Sequence, residues 1–216
     1  MSEEKLGFIE TVTGVLRRPT ATFPYIQEGD LMKGAIIVVI TAVLAGVSTM
    51  TYMNKIPLEV VLSQVQNVTV DASSLQGTMG MFSAIGVIIA VLAGWALSTL
   101  LFHALSNLLG GSGDMKRFFA MTGFASTPLL LKQVIRMIDA FTISQETAVG
   151  FFLANREIEN KLLTGLMGAN LLNIFGLATL YLTINAINAN YGMGKGKALV
   201  IALIPPAVSL AMTLFL

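Results

Sequence analysis

The sequence predicts an all-α, polytopic membrane protein: a bundle of five transmembrane helices preceded by an interfacial amphipathic helix. Of the 216 residues, 55% are hydrophobic and 12% are charged, whereas soluble domains carry roughly 25% charged residues. The mean hydropathy is +0.77, and apolar runs long enough to cross about 30 Å of hydrocarbon recur along the chain. This composition cannot supply a water-facing surface, so we place the chain in a bilayer.

Composition also excludes several functional classes. A net charge of +1 lacks the basic face of a nucleic-acid binder. With no cysteine and one histidine, the chain offers no disulfide, no thiolate nucleophile and little for a metal centre. The sequence shows no Ser-His-acid set, no paired acidic site and no phosphate-binding loop. We therefore expect neither an enzyme, nor a metal site, nor a cofactor.

The first predicted unit, residues 1–33, is too charged to cross a membrane. It contains apolar residues at helical spacing: Phe8, Ile9, Val12, Val15 and Leu16. Pro19 should end this helix, and its amphipathic pattern predicts that it lies at the membrane surface. Residues 34–216 form the second unit, the transmembrane domain.

Five spans are predicted in that domain: 34–53, 79–109, 118–138, 162–189 and 198–216. The glycine cluster at 110–113 should stop the second helix, and Pro128 and Pro205-Pro206 should kink the third and fifth. The apolar stretch 140–153 is short and contains Glu146, which predicts an interfacial or partly buried segment. A re-entrant loop or a sixth span remains open for it.

Lysine and arginine residues are more numerous in the loops on the side of the N-terminus. The positive-inside rule then predicts a cytoplasmic N-terminus and an outside C-terminus in the cell membrane.

Charged residues near the end of the third span form the candidate polar site. Lys132, Arg136 and Asp139 share one helix face, and Arg136 and Asp139 are spaced to form an ion pair. One interpretation is that the cations extend toward the interface around this pair. The other is an intramembrane site for an anion or a lipid headgroup, since ionisable groups at membrane depth are functional candidates.

Small residues recur every fourth position in two spans and predict helix-packing faces. They are Gly86, Ala90, Gly94 and Ser98 in the second span, and Gly165, Ala169 and Asn173 in the fourth. Either face can serve a neighbouring helix or a second protomer. Asn170 and Asn173 should point into the bundle, because an amide facing lipid is costly. His103 should hydrogen-bond to a neighbouring side chain.

The order of these features resembles the YIP family (Ypt-interacting proteins), in particular its prokaryotic branch. The resemblance rests on these segments: Leu108-Leu109-Gly110-Gly111-Ser112-Gly113, Phe118-Phe119-Ala120, Gly123-Phe124-Ala125-Ser126-Thr127-Pro128, Asn173-Ile174-Phe175-Gly176-Leu177 and Gly192-Met193-Gly194-Lys195-Gly196-Lys197-Ala198. It implies a multi-pass membrane fold with no catalytic residues. Eukaryotic relatives act in Golgi and endoplasmic reticulum membranes with Rab GTPases, but their Asp-Leu-Tyr-Gly-Pro motif is absent here.

The sequence thus predicts a non-enzymatic membrane-organising or partner-binding scaffold. The alternative is a small-solute or ion transporter or channel that uses the charged third span. The partners expected are the lipid bilayer, a second copy of the chain and a membrane or peripheral protein.

Overall fold

The computed structural model describes residues 6–62, 72–156 and 173–215, and this part of the chain is helical with no β-strand. Two single 3-10 turns, Phe23–Tyr25 and Glu28–Asp30, follow the second helix. The helices are α1 (Phe8–Arg17), α2 (Pro19–Thr22), α3 (Leu31–Lys55), α4 (Leu58–Leu62), α5 (Ala72–Leu108), α6 (Met115–Ala125), α7 (Thr127–Thr142), α8 (Gln145–Arg156), α9 (Ile174–Tyr191) and α10 (Lys195–Phe215).

Four helical segments of the described chain are long and apolar enough to cross a membrane: Glu28–Lys55, Gly77–Leu108, Met115–Thr142 and Lys195–Met212. They coincide with the predicted first, second, third and fifth spans, which confirms an all-α multi-pass fold. Residues 157–172 lie outside the described residues, and they include 162–172, the first part of the predicted fourth span. The count of five spans therefore stays a prediction.

The N-terminal segment packs against the bundle. As predicted, α1 ends just before Pro19. Val15 and Phe23 are completely buried in the main core, and the Thr20 hydroxyl donates to Asn185 Oδ1 of α9 at 3.0 Å. Part of the amphipathic face is thus used inside the protein, whereas Ile9, 74% exposed, faces outward.

Pro128 interrupts the third span as predicted. Helix α6 ends at Ala125 and α7 begins at Thr127, because proline lacks the N–H that a continuous helix would use. The Thr127 hydroxyl donates to the carbonyl of Phe124 at 2.6 Å, and the Ser126 hydroxyl donates to that of Thr122 at 3.0 Å. These two bonds satisfy carbonyl groups at the break. By contrast, α10 stays helical through Pro205 and Pro206.

The boundary after the third span differs from the prediction. Helix α7 continues to Thr142 and includes the buried Ala140, and a separate helix, α8, follows. Ile143 adopts an extended conformation, and the Ser144 hydroxyl accepts from the backbone N–H of Thr147 at 3.2 Å. The extended Ile143 thus ends α7, and Ser144 caps the start of α8. Residues 140–153 are therefore not a single segment.

Hydrogen bonds between distant parts of the chain hold one end of the bundle together. We call the end formed by residues 24–30, 109–117 and 190–197 the basic end. Here Asn190 Nδ2 donates to the Asp114 carbonyl at 3.0 Å, and the Arg117 guanidinium donates to the carbonyls of Ile26 at 2.8 Å and Pro24 at 2.9 Å. These bonds hold three distant parts of the sequence together.

Candidate functional site

The predicted polar site lies at the opposite end, where α3 meets α7. The Tyr52 hydroxyl of α3 donates to the Asp139 carboxylate, and the Arg136 guanidinium lies 5.6 Å from the centroid of the Tyr52 ring. The predicted Arg136–Asp139 ion pair is not present among the described residues. The physical reason is that α3 brings a phenol within reach of Asp139, which sequence spacing along one helix does not reveal.

Lys55 extends this group, which we call the far cluster: Tyr52, Lys55, Lys132, Arg136 and Asp139. The Lys55 ammonium donates to the carbonyls of Phe141 at 3.2 Å and Ile143 at 2.6 Å, where a cation favourably meets the C-terminal end of α7. From Met115, Arg136 lies roughly 32 Å along the helices at 1.5 Å per residue. That distance is close to the thickness of the hydrocarbon core, so we expect the far cluster at interface depth.

A cavity of about 780 Å³ lies inside the bundle between the two ends. Helix α5 lines it with Ala90, Gly94 and Ser98, and α10 lines it with Pro205 and Pro206. Helices α3, α6, α7 and α9 contribute further lining residues. None of the described lining residues is charged, so the far cluster takes no part in the cavity.

Hydroxyl groups line the cavity, and most of their protons are already used. Thr41 donates to the Ile37 carbonyl at 2.7 Å, and Thr179 donates to that of Phe175 at 2.8 Å. Similar bonds to the preceding turn are made by Thr99, Thr122, Ser126 and Thr183. A hydroxyl has one proton and two lone pairs, so these groups present mainly acceptors to the cavity.

Trp95 and Thr122 link two walls of the cavity. The Trp95 indole N–H donates to the Thr122 hydroxyl at 3.1 Å, and its ring packs edge-on against Phe119 at 5.3 Å. The Thr99 hydroxyl lies 3.0 Å from that of Thr122. The indole donor is thus occupied as well, so Trp95 presents no free N–H to the cavity.

The small-residue face of the second span lies where helix packing is open. Gly86, Ala90 and Gly94 are exposed, and a Cβ at Gly86 or Gly94 would meet no described atom within 4 Å. Close packing of α3 occurs elsewhere, at Gly46 against α5 and at Gly34 against α6. The packing role of the predicted face, within the chain or with a second copy, stays a prediction.

The predicted face of the fourth span is only partly visible. Gly165, Ala169 and Asn170 lie outside the described residues. Asn173 is the N-cap of α9, where its side chain accepts from the Gly176 N–H at 2.8 Å. Asn173 thus caps the start of a helix, whereas the sequence predicted it inside the span 162–189.

His103 is hydrogen-bonded as predicted. Its Nδ1 lies 2.6 Å from the Tyr191 hydroxyl of α9, and its Nε2 lies 3.1 Å from the Asn107 amide nitrogen. Tyr191 also packs edge-on against Phe118 at 5.1 Å. The histidine therefore joins α5 to α9 at the basic end.

The sequence analysis did not single out several residues that organise the far cluster, the cavity and the basic end. They are Tyr52 and Lys55, Trp95 and Thr122, and Arg117. Trp95 carried a usable signal, because a tryptophan with a polar N–H inside an apolar span needs a partner. The others carried none, since their partners lie far away in the sequence.

A family model described as the Yip1 domain matches residues 13–216 of the chain. This match agrees with the resemblance drawn from the glycine, phenylalanine and proline motifs. No curated protein and no solved structure matches the chain.

Proposed function

The chain belongs to the Yip1 domain family, and from that premise we propose that it is a non-enzymatic membrane-organising or partner-binding scaffold. Its basic end is the surface that contacts the partner protein. The chain is a multi-pass membrane protein. We assign it to the cell membrane with a cytoplasmic N-terminus, because the basic end contains exposed lysines together with residues 24–30 of the N-terminal segment.

One observation carries the proposal: the basic end is held together internally while its cations remain exposed. Arg117 and Asn190 bond to backbone carbonyls and fasten this end. The remaining cations of this end are exposed: Lys116, Lys195 and Lys197. A preorganised surface lowers the entropy cost of binding, and its charge favours an acidic protein surface as the partner.

The cavity is the one observation that favours the alternative function, a small-solute or ion transporter or channel. That function was expected to use Lys132, Arg136 and Asp139, yet none of them lines the cavity. The Tyr52 hydroxyl donates to the Asp139 carboxylate, and the Lys55 ammonium donates to the Ile143 carbonyl at the end of α7. The distribution of charge therefore supports the scaffold over a path that depends on the charged third span.

Crosslinking in native membranes tests the scaffold, with captured proteins identified by mass spectrometry. We compare two variants of equal charge change, Lys116→Ala/Lys195→Ala at the basic end and Lys132→Ala/Arg136→Ala in the far cluster. The scaffold predicts that one reproducible partner is lost in the first variant and retained in the second.

Capture of only the chain itself and lipid contradicts the scaffold. So does equal capture by both variants. Solute flux in proteoliposomes that the Lys132/Arg136 variant abolishes, at unchanged expression, would favour the transporter.

A further inference from the structure

The cavity lies at the depth where a membrane is most apolar. Ser126, at the break between α6 and α7, lines it. The rise from Met115 to Ser126 is roughly 16 Å at 1.5 Å per residue, about half of the 30 Å hydrocarbon core. A charged ligand group at this depth would need a countercharge, and the described lining residues supply none. We therefore expect an uncharged occupant.

The proline pair in α10 adds further acceptors to the cavity. Pro205 and Pro206 have no N–H, so the carbonyls of Ile201 and Ala202 lose the donor that a helix normally provides one turn later. Ala202 and both prolines line the cavity. At the other proline break, the Thr127 hydroxyl donates to the carbonyl of Phe124. The described lining of α10 therefore contains more acceptors than donors, and its one hydroxyl is that of Ser209.

Hydroxyl oxygens and carbonyls together make a cavity that needs a donor from its ligand. Buried polar groups without a partner are costly, so a ligand hydroxyl placed here gains what the protein lacks. The remaining lining is aliphatic and aromatic, including Val91, Trp95, Phe102 and Leu129. A volume of about 780 Å³ falls within the range of small-molecule sites.

The small-residue face of α5 gives a ligand lateral access to the cavity from the bilayer. Gly94 lines the cavity and is exposed, and a Cβ there would meet open space. A ligand that already lies in the bilayer can enter at this position without passing through water.

We propose that this cavity binds the hydroxyl end of an uncharged membrane lipid, of which diacylglycerol is the simplest example. Such a lipid supplies one hydroxyl donor on an apolar body and carries no charge that would hold it at the headgroup layer. The site is separate from the basic end, so it stands or falls independently of the scaffold.

Trp95 gives a direct readout, because it is the single tryptophan of the chain and it lines the cavity. The full chain is reconstituted in phosphatidylcholine vesicles. A small fraction of the lipid is either diacylglycerol or phosphatidylcholine, each carrying the same brominated acyl chains, which quench indole fluorescence on contact. We expect several-fold stronger quenching by the brominated diacylglycerol, reversed by the unbrominated form.

Two variants of the same face provide the matched comparison. Gly94→Phe fills the opening of the cavity, whereas Gly86→Phe adds the same ring two turns earlier, outside the lining. The ratio of the two quenching values within each variant cancels any change in Trp95 emission. We expect Gly94→Phe to lose the excess quenching and Gly86→Phe to keep it.

Equal quenching of the native chain by the two lipids overturns the proposal, and this result does not depend on any variant folding. Retention of the excess in Gly94→Phe also overturns it. Reversal by glycerol but not by unbrominated diacylglycerol would assign the cavity to a water-soluble alcohol and remove the lipid assignment. None of these outcomes changes the crosslinking result expected at the basic end.

Discussion

Single glycines decide how closely α3 approaches α6. A Cβ built at Gly123 would lie 2.5 Å from the carbonyl carbon and oxygen of Gly34, and one at Gly34 would lie 2.5 Å from the Ala120 carbonyl oxygen. These neighbours are backbone atoms, which cannot move aside as a flexible side chain can. Small residues allow helix backbones to touch in a membrane, where lipid is as apolar as leucine.

We expect Gly123→Ala to destabilise the protein. Overpacking of this kind costs roughly 1–3 kcal/mol, and here a whole helix must shift. Thermal unfolding of the detergent-solubilised chain, followed by size-exclusion chromatography, should show a lower midpoint. Gly86→Ala is the control, because its Cβ meets open space. Equal midpoints for the two variants would contradict the close contact.

The N-terminal segment is an element that a side chain of another element helps to hold in place. Arg117, at the start of α6, donates to the carbonyls of Pro24 and Ile26, and Ile26 is buried. The amphipathic pattern predicted the helix α1 but not this attachment. An arginine in a basic loop resembles any other charge in the sequence until its acceptors are known.

Loss of Arg117 should loosen this segment. Hydrogen bonds from a charged donor contribute roughly 1.5–3 kcal/mol, and each 1.4 kcal/mol changes an opening equilibrium about tenfold. We therefore expect Arg117→Gln to accelerate tryptic cleavage after Arg17 by about tenfold in the solubilised chain. Mass spectrometry of the released peptide measures the rate.

The adjacent Lys116→Gln serves as the control, because Lys116 is exposed. An equal rate for both glutamine variants would mean that the two carbonyl bonds do not hold the segment.

Helix boundaries were accessible from sequence to different degrees. The apolar runs predicted four of the spanning segments, and Pro128 predicted the break in the third. The start of α8 was not predicted, since it depends on the Ser144 cap, a short local signal inside an apolar stretch. Capping contributes about 1 kcal/mol, which is easily hidden beneath a hydropathy pattern.

At the scale of the whole molecule, the structure gathers separate loops into a basic end and a far cluster. Helices α3 and α5, consecutive spans of the chain, run in opposite directions, since Gly46 lies against Ala84 and Gly80 lies against Asn54. Helix α3 and the third span run in the same direction, since Gly34 lies against Ala120 and Tyr52 bonds to Asp139. The positive-inside rule then predicts that the basic end faces the cytoplasm. The far cluster lies at the opposite interface, where Arg136 and Lys55 meet α3 and α7.

The absence of cysteine from the sequence allows this orientation to be tested cleanly. Ser112→Cys and Gln145→Cys place single thiols at exposed positions of the basic end and of the opposite end. In intact cells, a membrane-impermeant maleimide should label Gln145→Cys at once and Ser112→Cys only after permeabilisation. The reverse pattern would place the N-terminus outside.

The sequence by itself determined that the protein lies in a lipid bilayer, and it determined the helical class, the family and most of the spans. These properties follow from hydrophobicity and proline, which act locally along the chain. Tertiary structure decided which residues meet: Tyr52 with Asp139, Arg117 with Pro24 and Ile26, and Gly34 with Gly123. It also placed the small-residue stripe of α5 beside a cavity. Contacts between helices depend on crossing geometry over long sequence separations, which hydropathy does not encode.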